Sequence, residues 1–568
     1  MQGLAGTARM AIVAFARRAT GTAGGERAGS RPFTARAQAA PAAHRHPGRC
    51  AAVAWLVAFA WVATAAVALA APAPDPEEGR ALYEGRHAAL SATLRGASQA
   101  ALPAQQAACV SCHRPSGLGS FEGEAIVPPI SSGLLSRPFD PATTRRYGPP
   151  GGAGAEAGPR VRPAYDTAAL HRLLTEGRTP DGRMLGPLMP RYALEPRHAA
   201  ALLAFLDGLG TRPTPGVDDE VVHFATITSD DVPEAQAQQV VLLLQQFIAR
   251  KNAQTRGEEQ RRAAARRTEH TMYARYRRWA LHHWVLRGEP GTWPQQLADL
   301  YAARPVFAVL SGRSDRDWSP VHRFCEAERL PCLFPVTAWP GEEAGFYTAY
   351  FSGGAVAQAR WLASADDVAA TPPAPGRPWL VLAGEGQGEQ ALAERVARAL
   401  GGGSAAAGLL IGGRWRGEPV IVSALPAREV ARRLAAGPPA ANAPRVRVYL
   451  LAGASPPDDE PVAWPPGADV QWVTQQETGA ARLARARAWW RGQGLRPADE
   501  ALAAQVLFAA TAAVESLVHV DERFSREYCL EKLEHNLENM PPMTGYPRLA
   551  LGPNQRLAAK SVWLTRRP

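Results

Sequence analysis

Apolar positions in residues 217–568 alternate between short continuous runs and amphipathic repeats. The runs, which are typical of buried strands, are Val221–Thr228, Trp279–Leu286, Pro305–Leu310, Cys332–Val336, Trp379–Ala383, Gly408–Ile411, Val420–Ser423, Val446–Leu451 and Val470–Thr474. The segments with helical periodicity are Glu234–Lys251, Trp293–Ala303, Val321–Arg329, Glu389–Leu400, 479–494, 499–518 and 524–537. Alternating strands and helices predict parallel α/β sheets, and two successive sets predict two lobes with a cleft between them.

Residues 77–212 show a different pattern, in which helical repeats are separated by loops. Glu77–Gly85, Asp166–Glu176 and Glu195–Leu209 have apolar residues three to four positions apart, and a Gly/Pro-rich stretch fills residues 137–163. This spacing predicts three amphipathic helices. The chain is therefore expected to be multidomain, with a small all-α domain followed by a two-lobed α/β domain over 217–568.

One short motif carries specific chemistry. Residues 109–113 read Cys-Val-Ser-Cys-His, and C-x-x-C-H is the attachment signature of a c-type haem. Cys109 and Cys112 would form the two thioethers, and His113 would be an axial ligand of the iron. A thioredoxin-like pair or half of a zinc site are the alternatives, but a zinc site needs a second ligand pair, which this region lacks. The motif predicts one covalent haem c.

A second axial ligand is sought among the few methionines, since thioether sulfur often opposes the histidine. Met184 and Met189 both lie in residues 181–192, shortly before the closing helix. Met189 fits best because Pro190 follows it, Met184 is the alternative, and a methionine that only fills the core remains a third interpretation. His171 and His198 are expected on the polar faces of their helices, away from any iron.

Together these features resemble a class I cytochrome c over residues 77–212. The resemblance rests on the first helix, the CVSCH motif, the methionine–proline loop and the closing helix. It implies iron ligation by His113 and Met189, contacts from Arg191 and Tyr192 to the haem propionates, and one-electron transfer with a periplasmic redox partner.

The N-terminus has the organisation of an export signal. An uncharged apolar run, 51–71, follows a region with eight arginines and ends in Ala68-Leu69-Ala70, a small-residue cleavage pattern. Residues 1–71 are therefore predicted to be a signal peptide with a disordered basic region, and an uncleaved membrane anchor is the alternative. A periplasmic location follows.

Of the net charge of +11, +7 belongs to residues 1–70, so the remaining +4 does not suggest a nucleic-acid partner.

The C-terminal region resembles the type I periplasmic-binding proteins, in particular the leucine/isoleucine/valine-binding branch. The motifs are Val309-Leu310-Ser311-Gly312, 331–337 and Phe346-Tyr347. The resemblance implies that Ser311, Gly312 and Thr337 bind the carboxylate of a small solute such as an amino acid, and that Tyr347 or Trp318 lines the cleft.

The remaining cysteines outside the N-terminal region are structural candidates. Cys325 and Cys332 flank a predicted helix-to-strand turn, and an oxidising compartment favours a disulfide between them. Cys529 lies in an apolar helical pattern and is expected to be a buried thiol.

Two functions fit these patterns. The first is a periplasmic electron-transfer cytochrome fused to a solute-binding-like module. The alternative is a solute-binding or sensing protein in which the haem is an accessory redox sensor. Neither is an enzyme, although the cytochrome subunit of a dehydrogenase remains an alternative.

Overall fold

A computed structural model describes most of the chain after residue 72. The described residues are 73–94, 100–122, 125–131, 133–139, 161–254, 277–364, 379–401, 407–410, 420–436, 446–453, 462–479, 481–517 and 524–566. The predicted signal segment 1–71 and most of the Gly/Pro-rich stretch 137–163 lie outside these residues.

Residues 73–212, the N-terminal module, contain five helices in the described ranges. They are α1 (Pro76–Tyr83), α2 (Ala104–Ala107), α3 (Cys109–His113), α4 (Thr167–Glu176) and α5 (Pro196–Gly208). The three predicted helices are confirmed to within two residues at each end. The module also has short strands that the helical pattern did not predict, namely β1 (Ala92–Thr93), β2 (Ala101–Leu102), β3 (Ser120–Glu122), β4 (Ala125–Val127) and β5 (Arg191–Tyr192).

Helices α1 and α5 cross at very close range in this module. A Cβ atom on Gly79 would lie 2.1 Å from the carbonyl oxygen of Ala201, so only glycine fits at this position. One turn further along, the rings of Tyr83 and Phe205 meet with centroids 5.4 Å apart. The missing side chain at residue 79 thus lets the two backbones approach and brings these rings together.

Lobe 1 is a seven-stranded parallel sheet. Its strands are β6 (Val221–Ser229), β7 (Arg278–Leu286), β8 (Ala308–Leu310), β9 (Arg313–Ser314), β10 (Cys332–Leu333), β11 (Val336–Thr337) and β12 (Thr348–Ala349). The order is β11-β9-β6-β8-β10-β12, and β7 also pairs with β6. Three helices lie between these strands along the chain, α6 (Glu234–Gln254), α7 (Trp293–Ala303) and α8 (Ser319–Ala327).

Lobe 2 is a six-stranded sheet. It comprises β13 (Trp379–Leu382), β14 (Ala407–Leu410), β15 (Val420–Ser423), β16 (Val446–Leu451), β17 (Ala468–Thr474) and β18 (Trp563–Thr565), in the order β14-β13-β15-β16-β17-β18. All pairings are parallel except that of the last strand, β18, with β17. Its helices are α9 (Gly354–Ser364), α10 (Gln387–Gly401) and α11 (Ala427–Ala435). The predicted two-lobed α/β architecture is confirmed.

The chain then returns to lobe 1 for three helices, α12 (Ala484–Arg491), α13 (Glu500–Leu517) and α14 (Arg526–Leu537). Within the described residues, α13 is long and apolar enough to cross a membrane, but 67% of it is buried inside the fold. Its apolar residues pack in the same core as strands β6, β8 and β11. Helix α13 is thus a core helix of lobe 1.

The chain passes between the lobes three times, after β12, after β17 and before β18. These three connecting segments contact one another. The backbone N–H of Ala559 donates to the carbonyl oxygen of Phe351 at 2.7 Å. The carbonyl oxygen of Ala559 accepts from the side-chain amide of Gln475 at 3.2 Å. Because each of these residues lies on a different crossing segment, this contact forms the hinge region between the lobes.

Candidate functional site

The CVSCH motif forms the short helix α3, and its histidine is well buried. The ring nitrogen Nδ1 of His113 lies 3.0 Å from the carbonyl oxygen of Pro128. Because a carbonyl only accepts, Nδ1 must carry the proton and donate it. The unprotonated nitrogen is then Nε2, the atom that would bind iron, and a hydrogen bond of this kind is what usually orients a metal-ligating histidine.

The two cysteines of the motif differ in their surroundings. Cys109 is buried, and burial raises the pKa of its thiol to about 11. Cys112 is partly exposed. Neither cysteine is part of a disulfide, so both keep the thiol group that a thioether bond requires.

Met189 is partly buried and packs against the core of the N-terminal module. The alternative, Met184, has a side chain that is 52% exposed, which favours Met189 as the sulfur ligand. The buried guanidinium of Arg191 donates to the carbonyl oxygens of Met189 and Leu185. Arg191 therefore holds the backbone of the loop that carries Met189 in place.

The propionate contacts of Arg191 and Tyr192 stay a prediction, and the structure shows the backbone partners of both side chains. Arg191 is engaged by loop carbonyls, and the hydroxyl of Tyr192 donates to the carbonyl oxygen of Ala107 at 2.8 Å. Two thiols, a histidine with Nε2 available and a thioether all belong to one module. This donor set fits a c-type haem.

His198 is buried, which corrects its prediction as a residue of a polar face. Its Nδ1 accepts from the backbone N–H of Glu195 at 3.2 Å, and Nδ1 of His87 accepts from the N–H of Ala89 at 3.1 Å. In each ring the proton must therefore lie on Nε2. Nε2 of His87 is 3.6 Å and Nε2 of His198 is 3.7 Å from the same carboxylate oxygen of Glu78. The cluster turns N–H groups toward Glu78 rather than lone pairs toward a metal.

The stability that neutral His198 contributes is expected to fall as the pH is lowered from 7 to 5. Burial lowers the pKa of His198, so the unfolded chain, with a histidine pKa near 6.5, binds protons first and stability declines. Thermal unfolding of the wild type across this range, compared with that of a variant without a titrating group at residue 198, isolates this contribution. His198→Asn keeps an acceptor for Glu195 but does not titrate, and it should flatten the profile, whereas His535→Asn at an exposed position should not. An unchanged slope in His198→Asn would contradict the assignment.

A cavity of about 360 Å³ lies between the two lobes. It is located at the carboxyl ends of β13, β15 and β16, the edge at which α/β sheets usually bind ligands. Lobe 1 contributes Arg313, Asp315 and Ala338 to the wall. Lobe 2 contributes Val381, Leu382, Gly388, Glu389, Leu392, Ala393, Val396, Ala424, Leu425, Pro426, Leu451, Ala452 and Trp472.

The predicted ligand residues lie close to this wall but not in it. Ser311 and Thr337 are buried, and the hydroxyl of Thr337 accepts from the N–H of Trp339 at 3.1 Å. Gly312 has a φ of 140°, and a Cβ there would meet the buried ring of Trp318 at 3.0 Å. Ser311, Gly312 and Trp318 therefore shape the loop, and its next residues, from Arg313, reach the cavity.

Tyr347 lies elsewhere, facing α14. Its hydroxyl donates to a carboxylate oxygen of Glu527 at 2.8 Å, and this contact, with burial as the larger cause, raises the pKa of the hydroxyl. Tyr347 thus helps to pack the returning helix onto lobe 1.

Arg313 and Asp315 are site residues that sequence reasoning missed. They form an ion pair with each other, and Nη1 of Arg313 also donates to the carbonyl oxygen of Ser314 at 3.0 Å. One feature of the sequence could have identified them. They follow the Ser311-Gly312 turn directly, and Arg313 is a charged residue at the start of the next strand.

The N-terminal module is joined to lobe 1 through charged groups beside the haem motif. Glu534 of α14 pairs with Arg114 and with Arg556, and all three side chains are at most 12% exposed. One turn away, Glu531 accepts from the N–H and the hydroxyl of Ser116 at 2.8 and 2.7 Å. Burial raises the pKa of Glu531 to about 7.

The predicted bridge between Cys325 and Cys332 is not formed in the structure, where both are free thiols. Both side chains are fully buried in lobe 1. Burial, together with the neighbouring Cys332, raises the pKa of Cys325. Cys529 is a buried thiol, as predicted.

No protein-family model matches this chain, and no curated protein matches it by sequence. Among solved structures, it is similar to a leucine-binding protein, LivK, from Thermotoga maritima, with 14% identity, a TM-score of 0.38 and coverage of 60% of this chain and 94% of that one. It is also similar to a possible leucine/isoleucine/valine-binding protein from Rhodopirellula baltica, with 13% identity, a TM-score of 0.39 and coverage of 61% and 94%. A third is the branched-chain amino acid transporter substrate binding protein LivJ from Streptococcus pneumoniae in complex with isoleucine, with 9% identity, a TM-score of 0.37 and coverage of 61% and 95%.

Proposed function

We propose that this protein binds a small organic solute in the cavity between its lobes. The observation that carries the proposal is a cavity of about 360 Å³ with walls from both lobes, a volume within the range of small-molecule sites. Most residues of its wall are apolar, and three are charged, Arg313, Asp315 and Glu389; apolar walls with a few polar groups are usual in such sites. The hinge formed where the three crossing segments meet would let the lobes close on a solute.

A screen of the full-length protein tests this function. Thermal unfolding would be followed in the presence of amino acids, small carboxylates, alcohols and amides. A ligand at 100 times its dissociation constant stabilises the folded state by about 2.7 kcal/mol, which is readily measured. If no compound in any class raises the unfolding temperature, solute binding is the wrong function.

A second function, one-electron transfer through a c-type haem, is favoured by the hydrogen bond from His113 to Pro128. Cys109 and Cys112 would attach the haem, and His113 and Met189 would supply ligands to its iron. The haem would supply a one-electron couple, which methionine ligation raises in potential. With His113 and Met189 as its ligands, the haem would let the module carry electrons to a partner in the periplasm.

Met189→Ala is expected to remove the methionine–iron absorption band and lower the reduction potential of the purified haem protein, because a sulfur ligand is lost. Visible spectra and a redox titration measure both effects. Met184→Ala is the matched control within the same loop and should retain the wild-type spectrum. The reverse result, with the band lost only in Met184→Ala, would exchange the two assignments.

A further inference from the structure

We propose that Arg395 of lobe 2, through its contacts with Glu342 and Asp317 of lobe 1, holds the lobes at the separation that forms the cavity. These three residues are not among the described residues of the cavity wall, so they act on the site from outside it. This inference rests on the proposed solute-binding function and adds the means by which opening of the site is controlled. It also makes that opening dependent on dissolved salt.

Arg395 joins the two lobes through a single guanidinium. Its Nη2 lies 3.0 Å from a carboxylate oxygen of Glu342, and its Nη1 lies 3.9 Å from a carboxylate oxygen of Asp317. The guanidinium also lies over the ring of Trp339 in lobe 1, 5.3 Å from the centroid, which is within the range of a cation–π contact. We call these contacts of Arg395 with Glu342, Asp317 and Trp339 the interlobe clasp.

Glu342 has a second partner in lobe 2. Its other carboxylate oxygen accepts from Nη2 of Arg360 at 3.1 Å. Arg360 belongs to α9 and Arg395 belongs to α10, so each oxygen of one carboxylate in lobe 1 faces a different helix of lobe 2. Lobe 2 therefore cannot move away from Glu342 without breaking both contacts.

The interlobe clasp lies beside the cavity on both lobes. On α10, Arg395 lies within one turn of Leu392, which is part of the cavity wall. On lobe 1, Trp339 directly follows Ala338, which is also part of the wall. Because the clasp residues adjoin wall residues on opposite lobes, a motion that widens the cavity also separates Arg395 from its partners in lobe 1.

The interlobe clasp is accessible enough for salt to weaken it. The side chains of Arg395 and Asp317 are each 24% exposed, and a second cavity of about 480 Å³ has Glu342, Arg360, Arg395 and Arg398 in its wall. Salt screens partly exposed charges, and one ion pair of this kind shifts an equilibrium by about one- to fivefold. The clasp can therefore favour the closed arrangement and still release it.

Hydrogen exchange followed by mass spectrometry tests the interlobe clasp in the full-length protein without any ligand. Backbone amides that only an opening motion exposes exchange at a rate proportional to the population of the open arrangement. Arg395→Gln and Glu342→Gln should each speed exchange in the cavity-wall segments by about threefold to tenfold. The double variant should show less than the product of the two effects, because both changes remove the same contact.

Glu343→Gln is the matched control. Glu343 directly follows Glu342 but pairs with Arg323 of its own lobe at 3.0 Å, so this variant should exchange like the wild type. Raising sodium chloride from about 0.05 M to about 1 M should speed exchange of the wall in the wild type and in Glu343→Gln, and much less in Arg395→Gln. Urea unfolding of each variant shows whether it is folded.

The outcomes separate this inference from the proposed function. Unchanged exchange in Arg395→Gln and Glu342→Gln, or an equal increase in Glu343→Gln, overturns the interlobe clasp. Faster exchange in every segment together with a lower free energy of unfolding also overturns it, because Arg395 would then stabilise the fold as a whole. An equal effect of salt in Arg395→Gln and the wild type overturns the dependence on salt. A screen without any ligand removes solute binding alone, since exchange measures the motion of the lobes and not a bound solute.

Discussion

Glu534→Leu is expected to lower the free energy of unfolding by about 3–5 kcal/mol, because removing one partner of a buried ion pair leaves the other charge uncompensated. Glu534 lies between Arg114 and Arg556, and the exposed fractions of the three side chains are 8%, 12% and 8%. Without the carboxylate, two guanidinium groups would remain buried together. Urea unfolding of the full-length protein, followed by tryptophan fluorescence, measures the loss.

The control for this prediction is an exposed ion pair of the same type. Glu343 pairs with Arg323 at 3.0 Å, and both side chains are more than half exposed. Glu343→Leu should therefore change the free energy of unfolding by about 0–1 kcal/mol. A loss below 1 kcal/mol in Glu534→Leu as well would mean that water reaches the Arg114–Glu534–Arg556 contact in solution.

Gly79→Ala should destabilise the N-terminal module by about 1–3 kcal/mol through overpacking, although alanine favours a helix over glycine by about 1 kcal/mol. The new Cβ would lie 2.1 Å from the carbonyl oxygen of Ala201 and 2.8 Å from Cβ of Phe205. A backbone oxygen cannot rotate away as a flexible side chain can, so α1 and α5 would have to separate. Thermal unfolding followed by circular dichroism measures the effect.

Gly208→Ala provides a control with the opposite sign. Gly208 is the last residue of α5, and a Cβ there would have no atom within 4 Å among the described residues. Reduced entropy of the unfolded chain should then stabilise the protein by up to about 1 kcal/mol. If the two alanine variants shifted the unfolding temperature equally and in the same direction, helix propensity rather than the crossing would explain both.

Elements with strong local signals were predictable from the sequence. Helix α4 begins at Thr167 because Asp166 caps it, its carboxylate accepting from the N–H of Ala169 at 2.7 Å. The helix ends before Gly177, whose left-handed backbone closes it. Strands β15 and β16, which are short and mainly apolar, have the predicted bounds. In each case the residues that determine the structure are neighbours in the sequence.

Other features depend on contacts between distant parts of the chain. The predicted strand Cys332–Val336 is divided into β10 and β11 by Phe334, whose φ of 57° no apolar pattern reveals. The ring of Phe334 is accommodated by Phe508 of α13, with centroids 5.4 Å apart. The cavity wall likewise required the packing of two lobes, so the sequence indicated the right loop at Ser311-Gly312 but not the side chain, Arg313, that reaches the cavity.

The contacts of the haem motif with α14 also set an order of events during synthesis. Arg114 and Ser116 bind glutamates that come 420 and 415 residues later in the chain. Since chains are made from the N-terminus, the N-terminal module is complete long before its docking partner exists. During that interval its Arg114 face is exposed to water, so the CVSCH segment can be reached from a side that the finished protein covers. Docking on α14 is thus a late step, which requires the chain to have been made at least as far as Glu534.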